Sequence, residues 1–302
     1  MKFAGNVPHP IPYQGSKRGL AADILSHFPE SVARLVEPFA GSAAISLATA
    51  RRGIADRFWI NDAHAPIIGL WDTIIHRPEW LAKKYESLWN EQAGNEREYF
   101  NTVRSLFNKS HRPEHFLYLL ARCVKAAIRY NSNGEFNNTP DNRRKGALPK
   151  EMRERIAGAS ELLAGKTIVT SLDYRDVLSQ CDADDLIYMD PPYQGVCLKR
   201  DNRYSPKVDH GEFWNALESL NQRGCKFIVS YDGRTGDKQH GQLMPARLNL
   251  KHLELCAGRS TQATLLGHDH VTYESLYLSP ALVELTSPDK NGRRKKRQLS
   301  LV

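Results

Sequence analysis

The sequence predicts an α/β fold: a doubly wound parallel sheet with a second, mainly helical unit inserted into it. Three observations carry this. Short apolar runs recur, each ending at a polar or acidic residue; helix-period stretches lie between them; and the alternation lapses between about residues 66 and 150. Apolar runs without polar alternation mark strands buried on both faces, as in a parallel sheet. Strand–helix alternation is how such a sheet is wound.

Taken in order, "RLVEPFAGS" (34–42) reads as the first strand and its exit, and "AAISLATARRG" as the helix after it. "RFWINDAHAP" (57–66) gives a second strand, closing at Asp62. From 66 to 150 the chain is rich in Trp and Tyr, and "EHFLYLLARCVKAAIRY" has one continuous helical period. "NSNGEFNNTPDNRRKGALP" follows, a loop or hairpin by its Asn, Gly and Pro content. Strand character resumes at "TIVTSLDYRD" (167–176), which runs through Asp173, at "DLIYMDPPY" (185–193) and at "KFIVSYDGR" (226–234). Before the last of these, "HGEFWNALESLNQRG" spaces Phe213, Leu217 and Leu220 for one helix face, with Gly224 placed as a C-cap. "HLELCAG" and "YESLYLSP" predict two further strands. The expected division is a discontinuous catalytic domain over 1–65 and 151–285, an inserted domain over 66–150, and a basic, disordered tail over 286–302.

Composition limits the function. At 302 residues, with 41% apolar and 25% charged residues, this is a globular chain. No window approaches the roughly 20 apolar residues that span a bilayer. "MKFAGNVPHPIPYQG" lacks the apolar core of a signal peptide. Five widely spaced cysteines without a CxxC pair argue against a disulfide framework or a zinc site, and fit a reducing cytoplasm. The His268/His270 pair has no third ligand nearby, so no metal is expected. The net charge of +8 is uneven: five basic residues and no acid lie in "NGRRKKRQLSLV", and residues 101–150 hold ten Lys/Arg against three Asp/Glu. Such concentration is how a nucleic-acid footprint looks, and equally how a solvated basic surface looks.

Ligands of an open parallel sheet bind beyond the carboxyl ends of its strands. "VEPFAGSAAISLA" places Gly41 in a tight strand-to-helix turn, and Asp62 follows 21 residues later. That is the spacing at which a carboxylate grips ribose hydroxyls. With neither a full GxGxxG nor a P-loop lysine, a nucleoside such as S-adenosylmethionine fits better than NAD or ATP. At the exit of the fourth strand, Pro191 and Pro192 stiffen a loop that presents the Asp190 carboxylate, proline carbonyls and the Tyr193 ring. A row of acceptors beside an aromatic face suits an amino group on a flat heterocycle. Hydrogen bonds from the amine to Asp190 and a proline carbonyl would draw it toward sp³ and free its lone pair.

These motifs together resemble the DNA adenine methylase family of adenine-specific DNA methyltransferases. The likeness runs through most of the first 285 residues. "PYQGSKRGL" (12–20) is similar to the family's N-terminal cofactor motif, with Tyr13 and Lys17 in place. "VEPFAGSA", with Glu37, Phe39 and Gly41, resembles its methionine-side loop, and "NDAHAPIIGLW" its ribose-gripping motif; DPPY is intact. "FNKS" (107–110) and "RYNSNGEFN" (129–137) resemble its DNA target-recognition domain. The resemblance implies a Rossmann-like methyltransferase sheet carrying a helical target-recognition insertion. It also implies S-adenosylmethionine held by Tyr13, Lys17, Glu37, Phe39, Gly41, Asp62, Asp173 and Asp190. The activity implied is methylation of adenine N6 in flipped-out bases of double-stranded DNA, the chemistry restriction–modification systems use, by Asp190, Pro191, Pro192 and Tyr193 of a monomeric enzyme. Phosphate contacts are expected from Lys109, Arg112, Lys125, Arg143, Arg144 and Lys145. Arg129 is expected to read a guanine edge, and Asn131, Asn133, Asn137 or Asn138 an adenine edge.

Three departures from the family pattern stand out. Ala43 and Ser16 replace glycines, which the loops are expected to tolerate with at most a loss of cofactor affinity, and "VKAAI" (124–128) precedes Arg129 where site-reading members carry an aromatic and a polar residue, which leaves open the identity of the recognised sequence. "GVCLKRDNRYSP" (195–206) is placed as a lid over the flipped base. The competing readings are an RNA adenine methyltransferase and a DNA-binding relative without catalysis.

Overall fold

The computed structural model describes residues 6–141, 143, 145–192, 208–259 and 271–287. Among these, eight strands form one sheet: β1 (Val32–Glu37), β2 (Ala55–Asn61), β3 (Thr167–Thr170), β4 (Asp185–Met189), β5 (Lys226–Thr235), β6 (Lys238–Gln239), β7 (Lys251–Arg259) and β8 (Val271–Leu278). The order is β3-β2-β1-β4-β5-β8-β7, with the two-residue β6 hydrogen-bonded to β5 beside that path. The first five strands of that order run parallel. β8 runs antiparallel to both β5 and β7. The predicted strands are all present among the described residues; the reversed β8 is a direction that the sequence reading did not assign.

β4 shows why its apolar run is unbroken. Leu186 and Tyr188 belong to a core on one face of the sheet, Ile187 and Met189 to a second core on the other. A side chain every second residue goes to each face, so a strand covered on both faces has no polar position. Burying each of its large aliphatic residues contributes roughly 1.5–3 kcal/mol. At the amino ends, Arg34 clamps Asp185 across the β1–β4 pair through two bonds of 2.7 Å. Arg34 and Asp185 are also register partners.

The helices are α1 (Ala21–Leu25), α2 (Ala44–Arg52), α3 (Ala65–His76), α4 (Pro78–Glu91), α5 (Glu96–Ser110), α6 (Pro113–Arg122), α7 (Pro149–Leu163), α8 (Tyr174–Ser179), α9 (His210–Gln222) and α10 (Pro280–Thr286). α4, α6, α7 and α10 each open on a proline, whose fixed φ and missing N–H suit the first helical position. Apolar side chains of α1 to α7 join the first core, those of α8 and α9 the second.

One predicted helix is shorter than its period. "EHFLYLLARCVKAAIRY" leaves the α-helix at Arg122 rather than continuing to Tyr130. Cys123 turns extended and bridges Pro140, Val124 N–H donates to Thr139 C=O, and Lys125 and Ala126 take positive φ. Tertiary pairing with the returning chain outweighs helix propensity here. A second bridge, Tyr130 with Phe136, closes the hairpin that the Asn- and Gly-rich composition announced.

Because the chain leaves β1 toward β2 and β3 and returns to β4 on the other side, the order reverses between β1 and β4. Their carboxyl ends, Glu37 and Met189, therefore open a crevice at the switch point.

Candidate active site

The loop after β1 is built around two residues with positive φ, Gly41 at 49° and Ala43 at 45°. Gly41 is required twice. A β-carbon there would stand 3.1 Å from the Tyr13 ring, and the left-handed conformation itself disfavours side chains. Its N–H donates to Asp62 Oδ2 at 2.9 Å, and its C=O accepts from Trp71 Nε1 at 2.9 Å. Asp62 Oδ1 accepts the His64 N–H at 2.9 Å. Burial raises the Asp62 pKa, against the lowering effect of these two N–H donors. Ala43, where the sequence resemblance leads one to expect a glycine, bears its left-handed backbone fully buried. Ser16, at the other departure, accepts a hydrogen bond from the Ser42 hydroxyl at 2.8 Å, tying the N-terminal motif to this loop.

Ala43 offers no side-chain cap to α2. Glu37 at the end of β1 supplies it, accepting from the Ser46 N–H at 2.9 Å and from the Ser46 hydroxyl. A carboxylate suits a helix N-terminus, but Glu37 is only 2% exposed, and burial pushes its pKa up to about 7 despite the Ser46 bonds. Asn61, closing β2, is also buried with every amide bond used. It donates to Pro38 C=O and Leu172 C=O and accepts from Thr170 Oγ1 and Leu172 N–H. It thereby holds the exits of β1, β2 and β3 together. Asp173, just beyond, caps α8 through the Arg175 N–H and is held ionised by the Arg175 guanidinium. Phe39 packs against Tyr174 and Phe213 with ring centroids 5.2 and 6.1 Å away.

At the exit of β4, Asp190 Oδ2 lies 3.0 Å from Lys17 Nζ, which also sits 3.5 Å from Glu274 Oε2 on β8. Burial pulls the Lys17 pKa down, yet the two carboxylates outweigh it and raise it, so the ammonium stays charged. Below, Tyr188 and Ser230 share a hydrogen bond of 2.7 Å.

All these residues line one cavity of about 1200 Å³: Tyr13, Lys17, Glu37, Phe39, Gly41, Asp62, Asp173, Asp190, Pro191 and Pro192, with Glu274, His64, Tyr130 and Asn131. Every described candidate of the cofactor and catalytic sets is thus brought together. Tyr193, the 195–206 segment, Arg144, the His268/His270 pair and residues 288–302 of the tail lie outside the described residues, and the tail's first residue, Thr286, instead ends α10.

The far wall comes from the hairpin. His64 Nδ1 accepts the Ile67 N–H at 3.3 Å as N-cap of α3, so its proton sits on Nε2, 2.5 Å from the Tyr130 hydroxyl. Burial lowers the His64 pKa to about 4. The "FNKS" and "RYNSNGEFN" stretches meet through Asn108, whose side-chain amide donates to Phe136 C=O at 3.0 Å and accepts its N–H at 2.8 Å. Among the DNA candidates, Lys109, Lys125, Arg129, Asn133, Asn137 and Arg143 are exposed. Arg112 pairs with Glu114, and Lys145 with Glu96. Asn131 is engaged in its own turn, accepting from Asn133 and Glu135 N–H groups, and the buried Asn138 donates to Ala127 C=O at 2.6 Å.

The sequence reading missed Glu274, His64 and Tyr130 as cavity residues. One signal for Glu274 was available: it alternates with Leu276 and Leu278, both in the core, so an acid stands on the inward face of β8.

Residues 13–254 match the family model described as D12 class N6 adenine-specific DNA methyltransferase. The chain belongs to that family. Among its relatives, the DNA N-6-adenine-methyltransferase of Escherichia phage P1 is 30% identical over 234 residues, covering 73% of this chain but 29% of the phage protein. The retron Ec67 DNA adenine methylase of Escherichia coli is 27% identical over 226 residues, 73% of this chain and 75% of that protein. The DNA adenine methylase of Serratia marcescens is 28% identical over 187 residues, 61% and 66% of the two chains. Among the described residues no helix is long and apolar enough to cross a membrane, and no group of three or more His, Cys, Asp or Glu is placed to hold a metal ion.

Proposed function

We propose that the protein methylates the N6 amine of adenine in double-stranded DNA, using S-adenosylmethionine and a base flipped out of the duplex. The observation that carries the reading is the juxtaposition at the β1–β4 switch point. Asp190, on a diproline exit, shares one cavity with the Gly41 turn and with Asp62, which binds that turn. The cavity, at about 1200 Å³, exceeds the roughly 300–1,000 Å³ typical of a site for one small ligand. It has room for both a nucleoside cofactor and a target base.

The residues present fit the cofactor. A β-carbon at Gly41 would fill the cradle beside Tyr13, and glycine keeps this approach to the backbone open. Asp62 keeps lone pairs for ribose hydroxyls beside the two N–H bonds it accepts, and Phe39 and Asp173 line the same cavity. When bound, S-adenosylmethionine supplies an activated methyl group, its S–CH₃ bond breaking toward sulfur as the N6 lone pair forms the new N–CH₃ bond. Asp190 and the Pro191 carbonyl accept the amine's two N–H bonds and orient its lone pair toward the methyl group. By the sequence motif alone, stacking on the base falls to Tyr193.

Residues 66–150 serve as the target-recognition domain, with the exposed Lys109, Lys125, Arg143 and neighbouring cations on phosphates and Arg129 on a base edge. Methylation-sensitive sequencing of DNA from an expressing host tests the reading, because it reports base and sequence context together. N6-methyladenine at a recurring short sequence supports it; unmodified adenines refute it.

A further inference from the structure

Glu274 lies outside every motif that points to the proposed reaction, yet it shares a lysine with the residue central to it. Its carboxylate reaches the cavity from β8, and Lys17 Nζ lies between Glu274 Oε2 at 3.5 Å and Asp190 Oδ2 at 3.0 Å. The Lys17 side chain is 7% exposed and those of Asp190 and Glu274 are 22% and 21% exposed, so water screens the three charges from one another only in part.

An Asp190–Lys17 pair alone would sum to zero. Methyl transfer moves one unit of positive charge onto N6, which then releases a proton to solvent. A carboxylate already neutralised by an ammonium at 3.0 Å is a poor stabiliser of that charge, and the ammonium itself repels it. A second carboxylate changes the balance in two ways. It gives the trio a net charge of minus one, and it offers Lys17 a second carboxylate partner at 3.5 Å.

We propose that Glu274 is a positioning residue for methyl transfer, holding Lys17 aside and leaving a net negative charge at Asp190 for the reacting amine. The inference rests on the methyltransferase reading above. Lys17 thereby acquires a defined place: buried, doubly paired and unable to act as a lone cation beside the developing charge.

The test uses the full-length protein, S-adenosylmethionine and duplex DNA, with kcat and KM measured for wild type, Glu274→Gln, Glu274→Asp, Lys17→Met and the Lys17→Met/Glu274→Gln double variant. Wild type that leaves adenine unmethylated overturns the functional reading itself, separately from the Glu274 role. Given wild-type activity, Glu274→Gln is expected to lower kcat roughly 10- to 100-fold, less than or comparable to loss of a direct donor, with both KM values within about threefold. Glu274→Asp is expected to keep most of the rate. The double variant, which restores a net charge of minus one at Asp190, is expected to exceed Glu274→Gln several-fold in kcat at saturating S-adenosylmethionine, while loss of Lys17 as a cofactor contact raises only the KM for that ligand. Wild-type kcat in Glu274→Gln overturns the proposal. So does a fall in kcat that Lys17→Met does not relieve, since a purely structural role would not depend on the lysine's charge.

Discussion

Glu37 makes the protein's stability depend on pH in a direction opposite to that of most acids. Buried at the end of β1, it caps α2 by accepting from Ser46, and its pKa is pushed up to about 7 by burial from an ordinary value of 4.5. A group whose folded-state pKa is raised holds its proton more tightly when folded. The stability it contributes is therefore fully present below about 4.5 and is lost as pH rises through about 7. Each pH unit across that interval costs ~1.4 kcal/mol, so between pH 5.5 and 8.5 the loss is ~2 kcal/mol, and ~3 kcal/mol over the whole range. His9 and His64, both held near 4 by burial, act oppositely below about pH 6.5, gaining stability as pH rises. The wild-type curve alone would mix these effects. The difference between wild type and Glu37→Gln isolates Glu37, because glutamine has the same shape and does not titrate. Urea denaturation at pH 5.5, 7 and 8.5 should show wild type losing ~2 kcal/mol relative to Glu37→Gln. Parallel curves for the two proteins would refute the upward shift of the Glu37 pKa.

Gly41→Ala forces a side chain into a left-handed position and to within 3.1 Å of the Tyr13 ring. The backbone alone costs ~1–2 kcal/mol, and thermal denaturation should show this, with S-adenosylmethionine affinity falling at least roughly tenfold by calorimetry; adding Tyr13→Ala should recover part of the stability loss. Lys125→Gln removes an exposed cation from the hairpin base. Duplex affinity measured against salt should lose about 0.9 from the magnitude of its log–log slope.

The parts legible in the sequence were those fixed by local chemistry. β4 was readable because a strand sandwiched between two cores leaves no polar position, and Gly41 because a tight turn against Tyr13 admits nothing larger. The early end of α6 was not readable. Residues 123–130 keep a helical period, and only pairing of Cys123 with Pro140 and Tyr130 with Phe136 pulls them away from it. Glu274 was hidden for a related reason. Its place beside Lys17 depends on β8 running antiparallel next to β5, a topology that no local pattern states. The Asn131 side chain, which composition offered for base reading, is instead occupied by Asn133, Glu135 and its own hairpin turn.

Under the proposed function, Asp190 holds an adenine amine for methyl transfer. Labelled methyl transfer from S-adenosylmethionine to duplex DNA, with the product digested to nucleosides, tests it directly for wild type and Asp190→Asn. In that variant Lys17 keeps Glu274 as a partner, so folding and duplex binding should persist while the rate falls roughly 10²–10³-fold. Wild type is expected to place label in N6-methyldeoxyadenosine, and Asp190→Asn to lose nearly all of it. Label on another base, or an undiminished rate in the variant, would contradict it.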